Sequence, residues 1–428
     1  MPHDALLETA NAALESLGAA ARASLRWFVP GRLEVLGKHT DYAGGRSLLC
    51  AAERGVCFAA QPRPDAQVRI IDATSKQAAD FTIGPALRRA PGHWSNYPMT
   101  VARRIARNFP GPLVGADIAF ASDLPPAAGM SSSSALVVGF FSVLAEANQL
   151  ERRPEYRENI HSLEELAGYL GAVENGRTVG SLRGDAGVGT AGGSEDHTAI
   201  LCCRAGALSQ YAFCPIRHER TVPLGEGWMF AIGVSGVVAD KNAAAQEQYN
   251  RAARTVDAIM AAWRAATGRD DPSLGDAIAS APGAPERMRE ILRAAATEPE
   301  PLLARLEQFV TESTEIVPEA GDCLARGDVE GIGVLVDRSQ LGAERWLGNQ
   351  VPETALLTRL ARKLGAAAAS AFGAGFGGAV WALVRAGQAD EFVERWGRDY
   401  RDAFPERASD ALFFLTRPGE GMRRLEPG

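Results

Sequence analysis

The sequence predicts an α+β protein with two domains. The chain has 428 residues, a length that usually corresponds to two domains and that can bury a large core. Segments with strand character and segments with helical spacing mix along the chain without a strict βαβ rhythm, which is typical of the α+β class. We expect the domain boundary near 205–225, and we assign residues 1–210 to an N-terminal domain and 211–428 to a C-terminal domain.

In the first half of the chain, apolar periodicity predicts strands and helices in turn. Residues 5–25 have helical spacing, and the strand RWFVPGRLEVLG that follows is expected to turn at Pro30-Gly31. Further strands are predicted for SLLCAAERGVCFAAQPR, AQVRIIDAT and GADIAFASDLP. Further helices are predicted for SNYPMTVARRIARNF, SSALVVGFFSVLAEANQL and SLEELAGYLGAVE, the last of which is expected to stop at Asn175-Gly176.

The second half begins after a glycine-rich stretch, 176–193, which is long enough to be a functional loop. A strand (GWMFAIGVSGVV) and a helix (NAAAQEQYNRAARTVDAIMAAW) are expected next, and the segment from about 270 to 345 is expected to be helical. The chain then predicts a helix (TALLTRLARKLGAAAAS), a glycine loop (GAGFGG), a strand (AVWALV), a further helix and a last strand (ALFFLT).

Composition and charge exclude several classes of protein. The net charge of −7 argues against a general nucleic-acid binder, because there is no basic excess to displace counterions. The N-terminus lacks the basic and then apolar order of a signal peptide, and no run of about 18 apolar residues predicts a membrane span. The six cysteines form no CxxC pair, so we expect reduced thiols in a cytoplasmic protein and no metal site built from cysteine.

The stretch GRLEVLGKHTDYAGG, residues 31–45, nearly matches a phosphate-binding loop, but its spacing is wrong. A P-loop has four residues between its glycines and then Lys and Ser or Thr, whereas here five residues separate Gly31 from Gly37 and His39 follows Lys38. The hydroxyl that would hold magnesium is missing. The stretch is therefore either a surface turn or a site for a different ligand.

The loop GAGFGG, from Gly373 to Gly378, fits the dinucleotide fingerprint GxGxxG in its letters only. That fingerprint needs a strand before it and a helix after it, so that the pyrophosphate meets the helix N-terminus. Here a helix is predicted before the loop and a strand after it. A tight helix-to-strand connection is the ordinary alternative.

The stretch LPPAAGMSSSSALVVG, residues 124–139, predicts an open loop followed by four serines at the start of an apolar helix. Free backbone N–H groups at a helix start carry partial positive charge, and with serine hydroxyls they form a good phosphate cradle. The alternative is an ordinary serine N-cap. Because one serine is enough for a cap, four in succession favour an anion site.

These three stretches, in this order, resemble the motifs of the GHMP kinase superfamily, and of its galactokinases in particular. Shorter similarities lie between them, in PGHWSNYPMTVARRI, GGSEDH, ADKNAAAQEQYN and GNQVPETALLTRLA. The resemblance covers nearly the whole chain. It implies an N-terminal domain like domain 2 of ribosomal protein S5, a ferredoxin-like C-terminal domain, and an active site between them.

The resemblance implies ATP-dependent phosphorylation of a sugar hydroxyl, most simply the anomeric one. Asp196 would accept the hydroxyl proton, and Arg32 would offset charge on the transferring phosphoryl group. Sugar contacts are implied for Lys38, His39, Asp41, Gly193 and Tyr249. ATP contacts are implied for Trp94, Gly129, Met130, Ser131, Ser132, Ser133 and Ser134, and Mg²⁺ would be held by Ser133 and Glu174. The third motif, with Gly373, Gly375, Gly377 and Gly378, would support the site from the second domain.

Several positions depart from the family pattern. Galactokinases have Glu, which contacts the sugar 6-hydroxyl, where this chain has Lys38, and Asn where it has Glu34. An ammonium can donate to a hydroxyl but cannot accept from it, and it attracts carboxylates. Lys38 therefore either alters galactose binding or admits a C6-oxidised sugar such as galacturonate or glucuronate. The alternative is that it has no sugar contact, because it points away or pairs with Glu34. His197 also replaces Gln beside the base, and Ala43 replaces Asn.

Three functions remain in competition at this stage. The first is an active sugar 1-kinase, and the second is a regulator that binds sugar and ATP without catalysis. A kinase for a non-sugar alcohol such as mevalonate or homoserine conflicts with the sequence HTDY, residues 39–42. We expect a small-molecule sugar as the partner, no nucleic acid and no membrane, and a monomer or weak homo-oligomer.

Overall fold

The computed structural model describes residues 3–18, 23–126, 128–237 and 243–426. Its strands, in chain order, are β1 (Leu25–Leu36), β2 (Arg46–Pro62), β3 (Gln67–Asp72), β4 (Ala78–Thr82), β5 (Ala116–Ser122), β6 (Ala207–Ala212), β7 (Arg217–Pro223), β8 (Trp228–Val234), β9 (Ala368–Ala371), β10 (Ala379–Arg385), β11 (Leu412–Thr416), β12 (Pro418–Gly419) and β13 (Arg423–Arg424).

Helices cover these strands and fill the segment between β8 and β9. In chain order they are α1 (Asp4–Ser16), α2 (Asn96–Asn108), α3 (Ser132–Ala147), α4 (Pro154–Asn159), α5 (Leu163–Asn175), α6 (Glu195–Cys202), α7 (Ala243–Thr267), α8 (Leu274–Ala279), α9 (Ala284–Ala295), α10 (Glu300–Val310), α11 (Val317–Arg326), α12 (Val329–Gly342), α13 (Pro352–Lys363) and α14 (Ala389–Ala403). A π-helical segment, Thr311–Ile316, joins α10 to α11. No described helix is both long enough and apolar enough to span a membrane.

The described strands form two sheets, which confirms the α+β prediction. The first sheet has nine strands, with the main order β13-β1-β2-β5-β3-β4; β6 and β12 also pair with β2, and β7 pairs with β6. Its pairs are antiparallel except for β3 with β5. The second sheet has the antiparallel order β11-β8-β10-β9. One apolar core includes side chains from both sheets, such as Phe58 and Phe120 from the first and Phe230 and Trp381 from the second.

The predicted turn at Pro30-Gly31 is wrong, because β1 runs through both residues. Pro30 lies opposite Gly55 on β2, and the register shifts between Pro30 and Arg32. Such a shift accommodates a proline, which cannot donate a ladder hydrogen bond. The long β1 is important for function, because it carries two charged residues to the middle of the molecule.

Other predicted bounds also change. The first helix ends at Ser16, well before residue 25. Helix α13 ends at Lys363, and the strand β9 separates it from the GAGFGG loop. That loop therefore joins two antiparallel strands, which still excludes a dinucleotide fold. The boundary predicted between residues 210 and 211 falls inside β6, and the first sheet continues to Pro223. We therefore propose a boundary between Pro223 and Trp228.

Candidate active site

A cavity of about 1270 Å³, including its open mouth, lies where the two halves of the chain meet. Five segments line it: β1, the residues after it up to Tyr42, the serine loop with the start of α3, the end of α5 together with the start of α6, and the loop between β9 and β10. These are the segments that the sequence singled out.

Arg32 and Asp196 form an ion pair in this cavity. Nε of Arg32 donates to Oδ1 of Asp196 over 2.7 Å, and the two residues are 164 positions apart in the chain. Arg32 lies on β1 and is buried, and its guanidinium also donates to the carbonyl of Gly129 in the serine loop. The structure therefore joins the two predicted catalytic residues and the serine loop at one point.

The ion pair fixes the charge state of the predicted base. Burial is the largest influence and raises the pKa of Asp196, but the positive charge of Arg32 and the other charges and hydrogen bonds around the carboxylate together outweigh it, so the net pKa lies below the usual aspartate value. Asp196 is therefore an ionised carboxylate at neutral pH, able to accept a proton but a weak base. Its second oxygen accepts a hydrogen bond from the Ser134 hydroxyl over 3.3 Å.

The serine loop has the geometry of an anion cradle. Helix α3 begins at Ser132, and its N-cap residue, Ser131, has a left-handed backbone with φ of 58°. Gly129 also has a positive φ, 72°. The cavity lining runs without a break from Gly129 to Ser134. The first backbone N–H groups of α3 have no intrahelical partner, so they are oriented to bind an anion.

The predicted metal ligands lie at the same end of the cavity. Ser133 and Glu174 both line it, and the hydroxyl of the adjacent Ser134 donates to Oε2 of Glu174 over 3.0 Å. Nε2 of His197 lies 3.2 Å from the same oxygen. Within the described ranges no group of three His, Cys, Asp or Glu side chains could hold a metal. Mg²⁺ often uses one or two protein oxygens together with phosphates and water, so one carboxylate beside a serine hydroxyl fits it.

His39 and Asp41 line the cavity as predicted, and each is tied to another segment. Nδ1 of His39 lies 3.0 Å from the Tyr42 hydroxyl, and Nε2 lies 3.2 Å from the carbonyl of Ala374 in the third motif. Burial, followed by the charge of Arg305, lowers the pKa of His39 to about 4, so the ring is neutral. The ring therefore donates through Nε2 and accepts through Nδ1.

Gly193 brings the backbone against Asp41. A Cβ atom at Gly193 would lie 2.2 Å from Oδ2 of Asp41, so a side chain does not fit there. That oxygen accepts a hydrogen bond from the backbone N–H of Glu195 over 3.0 Å. Burial raises the pKa of Asp41, and backbone hydrogen bonds from Glu195 and Tyr42 only partly offset this effect. The start of α6 thus fixes the carboxyl group in the cavity wall.

Lys38 does not point into the cavity, which corrects the expectation that it contacts the sugar. Its side chain is buried, and Nζ donates to the hydroxyls of Ser339 and Ser370 over 3.2 and 2.8 Å. The Ser339 hydroxyl in turn donates to Glu312, which also accepts from the N–H of Gly37. The ammonium therefore belongs to a network of hydrogen bonds that connects the first motif to the second half of the chain.

The structure does not support the role expected of Trp94, and it does not test the role expected of Tyr249. Trp94 does not line the cavity; its ring packs edge-to-face on Phe120 with centroids 5.7 Å apart, at the margin of the core. The adenine contact predicted for it is therefore not supported. Tyr249 belongs to α7, and its side chain lies outside the described residues.

The third motif approaches the serine loop closely. A Cβ atom at Gly373 would lie 3.0 Å from the carbonyl oxygen of Gly129, and one at Gly129 would lie 3.1 Å from the carbonyl oxygen of Phe372. Both glycines have a positive φ. Gly375, Gly377 and Gly378 also line the cavity with positive φ. Only glycine adopts such backbone at this packing distance without strain. The second half of the chain thus closes one side of the phosphate cradle.

Sequence reasoning missed the acidic wall next to the ion pair. Glu34 and Glu195 are both buried and both line the cavity. The sequence indicates Glu34 only as a departure from the family pattern and a candidate partner of Lys38, and Glu195 only as a letter of the motif GGSEDH. The period of β1 is the signal that was available, since a strand that turns Arg32 to the cavity also turns Glu34 there.

Three family models match the chain in order. The galactokinase galactose-binding signature matches residues 15–62, the GHMP kinase N-terminal domain matches 96–179, and the GHMP kinase C-terminal domain matches 322–402. A galactokinase of Chloroflexus aggregans is 30% identical over 374 residues, with 85% of each chain covered. The chain belongs to the galactokinase family. A galactokinase of Roseiflexus sp. is 29% identical over 405 residues and covers 92% of each chain.

Solved structures of the family have the same fold. Galactokinase from Lactococcus lactis, crystallised with galactose, superposes with a TM-score of 0.79 at 22% identity, over 99% of this chain and 100% of that one. A mevalonate kinase superposes with a TM-score of 0.53 at 14% identity, over 92% and 99% of the two chains. The predicted GHMP kinase fold is thus confirmed.

Proposed function

We propose that this chain is an ATP-dependent sugar kinase that phosphorylates the anomeric hydroxyl of galactose. The observation that carries the proposal is the Arg32–Asp196 ion pair, which shares one cavity with the serine loop. A carboxylate that can take a hydroxyl proton thus lies beside an arginine that can offset phosphoryl charge. Membership of the galactokinase family, with its galactose-binding signature at residues 15–62, supports galactose as the sugar.

The N-terminus of α3 would bind the phosphates of ATP. Its free N–H groups and the serine hydroxyls surround one end of the cavity, and the carbonyls of Gly129 and Phe372 keep the two loops in contact around it. Ser133 and Glu174 would hold magnesium, which would supply positive charge to neutralise the phosphates when bound. Arg32 lies between this cradle and Asp196, where the terminal phosphoryl group would pass.

Asp196 would act as a late proton acceptor. A carboxylate paired with arginine is too weak a base to ionise a sugar hydroxyl in advance. Phosphoryl transfer through a loose transition state does not require early proton loss, because the bond to the leaving group is largely broken before the new bond forms. Orienting the hydroxyl and receiving its proton late is therefore a sufficient role for Asp196.

The geometry does not favour the two alternative functions. A uronic acid kinase would need the ammonium of Lys38 in the cavity, but that ammonium is bound by Ser339 and Ser370. A regulator without catalysis would need no paired arginine and carboxylate beside an intact serine loop, and this chain has both. We also propose that the protein acts in the cytoplasm as a monomer or weak homo-oligomer; its six free cysteines agree with a reducing compartment.

A kinase assay over a sugar panel tests the proposal. The purified chain would be incubated with ATP, Mg²⁺ and galactose, glucose, galacturonate or glucuronate, and the product identified by ³¹P NMR. We expect galactose to become galactose 1-phosphate, with no turnover of the uronates. Turnover of a uronate in preference to galactose, or binding of galactose without any phosphorylation, would contradict the proposal.

A further inference from the structure

Glu34 faces the cavity from the same strand as Arg32. Residues 32–34 of β1 pair with β2 in regular register, Arg32 opposite Ala51 and Glu34 opposite Leu49. Side chains two residues apart on a strand lie on one face, about 6.5 Å apart along the strand. Both residues line the cavity, and Glu34 is 4% exposed. The strand thus places a carboxyl group next to the ion pair.

The carboxyl of Glu34 retains an unused acceptor. Its Oε1 is buried and accepts no hydrogen bond from a backbone N–H, a basic side chain or an alcohol hydroxyl in the parts of the chain that the structure describes, and among the described carboxyl groups of the cavity wall only Glu34 has such an atom. The other acids are engaged. Asp196 accepts from Arg32 and Ser134, Glu174 accepts from Ser134, and Asp41 accepts from the N–H of Glu195.

Charged groups surround Glu34 on all sides. The carboxyl of Glu195, on α6, is its hydrogen-bonding neighbour, and Oε2 of Glu195 accepts from the Ser47 hydroxyl over 2.6 Å. Arg32 and Lys38 attract negative charge to Glu34, and Glu312 repels it. Burial is the largest influence and raises the pKa of Glu34 to about 7. The group is therefore held close to the balance between its neutral and charged forms.

We propose that Glu34 is a specificity-determining residue, whose carboxylate accepts a hydrogen bond from a hydroxyl of the sugar. A buried carboxylate oxygen without a donor is costly, and a bound hydroxyl supplies the missing donor. The same wall has no other free acceptor of this kind, so a sugar that lacks the hydroxyl leaves Glu34 unpaired. This inference rests on the proposed function and assigns its sugar contact to a residue of the strand rather than to Lys38.

Deoxy-sugars test the inference. For the wild type and for Glu34→Leu and Glu34→Gln, kcat/KM would be measured with galactose and with its 2-, 3-, 4- and 6-deoxy derivatives. With the wild type, the kcat/KM for one derivative should be about 10- to 100-fold lower than for galactose, because that derivative offers Glu34 no hydroxyl donor. In Glu34→Leu that penalty should disappear for that derivative alone, because the kcat/KM of the variant for galactose should fall to its kcat/KM for the deoxy sugar. Glu34→Gln keeps an acceptor and should retain the penalty.

Controls separate the possible failures. Glu353→Gln, a buried carboxylate outside the cavity, should leave every deoxy penalty unchanged. If Glu34→Leu does not fold, the pH dependence of kcat/KM in the wild type and in Glu34→Gln provides the comparison, because only the wild type should show a step near pH 7. If each deoxy sugar lowers kcat/KM equally in the wild type and in Glu34→Leu, the role of Glu34 is overturned, whereas the proposed function is not affected. Failure of the wild type to phosphorylate any sugar would overturn the proposed function and this inference with it.

Discussion

The Arg32–Asp196 ion pair is the smallest unit on which the proposed chemistry depends. Replacing Arg32 by Met should lower kcat by about 10²–10³, comparable to the loss of one oxyanion donor. The loss should appear mainly in kcat, because the cation is needed most when charge moves onto the phosphoryl oxygens. Arg32→Lys should recover part of the rate, since it keeps the charge but not the fork geometry. Steady-state kinetics test this, and an unchanged kcat in Arg32→Met would refute the role.

The raised pKa of Glu34 predicts a pH dependence for sugar binding. Above a pKa of about 7 the carboxylate is ionised and accepts a strong hydrogen bond from a hydroxyl; below it the group is protonated and its remaining carbonyl oxygen is a weaker acceptor. The kcat/KM for galactose should therefore fall as pH drops through about 7. Asp196, with a lowered pKa, remains ionised there, so kcat at saturation should change little. Glu34→Gln should lack the step near pH 7; the same step in that variant would contradict the assignment.

Lys38 is expected to matter for stability rather than for sugar choice. Lys38→Met removes a buried ammonium from the network of Glu312 and Glu34, leaves Arg32 to offset the charge of Glu34, and should cost about 3–5 kcal/mol of unfolding free energy. Lys38→Glu restores the residue typical of the family, but it should lower the unfolding free energy further. It places a third carboxylate beside those of Glu312 and Glu34. Chemical denaturation measures the unfolding free energy of both variants. As a control, Lys363→Met replaces an exposed lysine and should change the unfolding free energy by no more than about 0.5 kcal/mol. Equal stability of Lys38→Glu and wild type would refute the network.

The contact between the serine loop and the third motif links two elements from opposite halves. Gly373→Ala places Cβ 3.0 Å from the Gly129 carbonyl in backbone with φ of 78°. Gly283, before α9, has the same φ of 78° with open space around it, so Gly283→Ala has the backbone strain without the collision. Only Gly373→Ala should raise the KM for ATP, because only it moves the phosphate cradle. An equal ATP KM in the two variants would show that the contact is irrelevant.

The elements themselves were largely predictable from sequence, and the errors have physical causes. Helical spacing and strand alternation located most of α2, α3, α5 and β5, since these are amphipathic or apolar over many residues. Pro30 was assigned a turn because proline lacks an N–H, but a register shift in β1 accommodates it. The strand β9 is short and alanine-rich, so its sequence does not differ from the end of a helix.

The site could be predicted only in part, because its finer contacts join residues far apart in the chain. The motifs gave Arg32, Asp196 and the serine loop, and the structure joins them. The partners of Lys38 lie 301 and 332 positions away, and nothing local in the sequence marks them. The free acceptor of Glu34 is likewise a property of what surrounds it, not of its own residue type.

The shared core predicts that the two halves unfold together. Side chains from both sheets belong to one apolar cluster, which includes Phe58 on β2 and Trp381 on β10. A continuous core couples the two halves, so calorimetry should show one transition whose midpoint rises with ATP and galactose. Two separable transitions, with only one shifted by ligand, would show that the halves are independent units.

Asp196→Asn offers the sharpest test of the proposed chemistry. The variant keeps the shape of the side chain and removes the carboxylate that pairs with Arg32. Galactose and ATP binding would be measured by titration, and the chemical step by single-turnover quenched flow. We predict that Asp196→Asn binds both substrates and transfers phosphate at least about 10²-fold more slowly, the scale of a positioned proton acceptor. Single-turnover transfer at the wild-type rate would contradict the account.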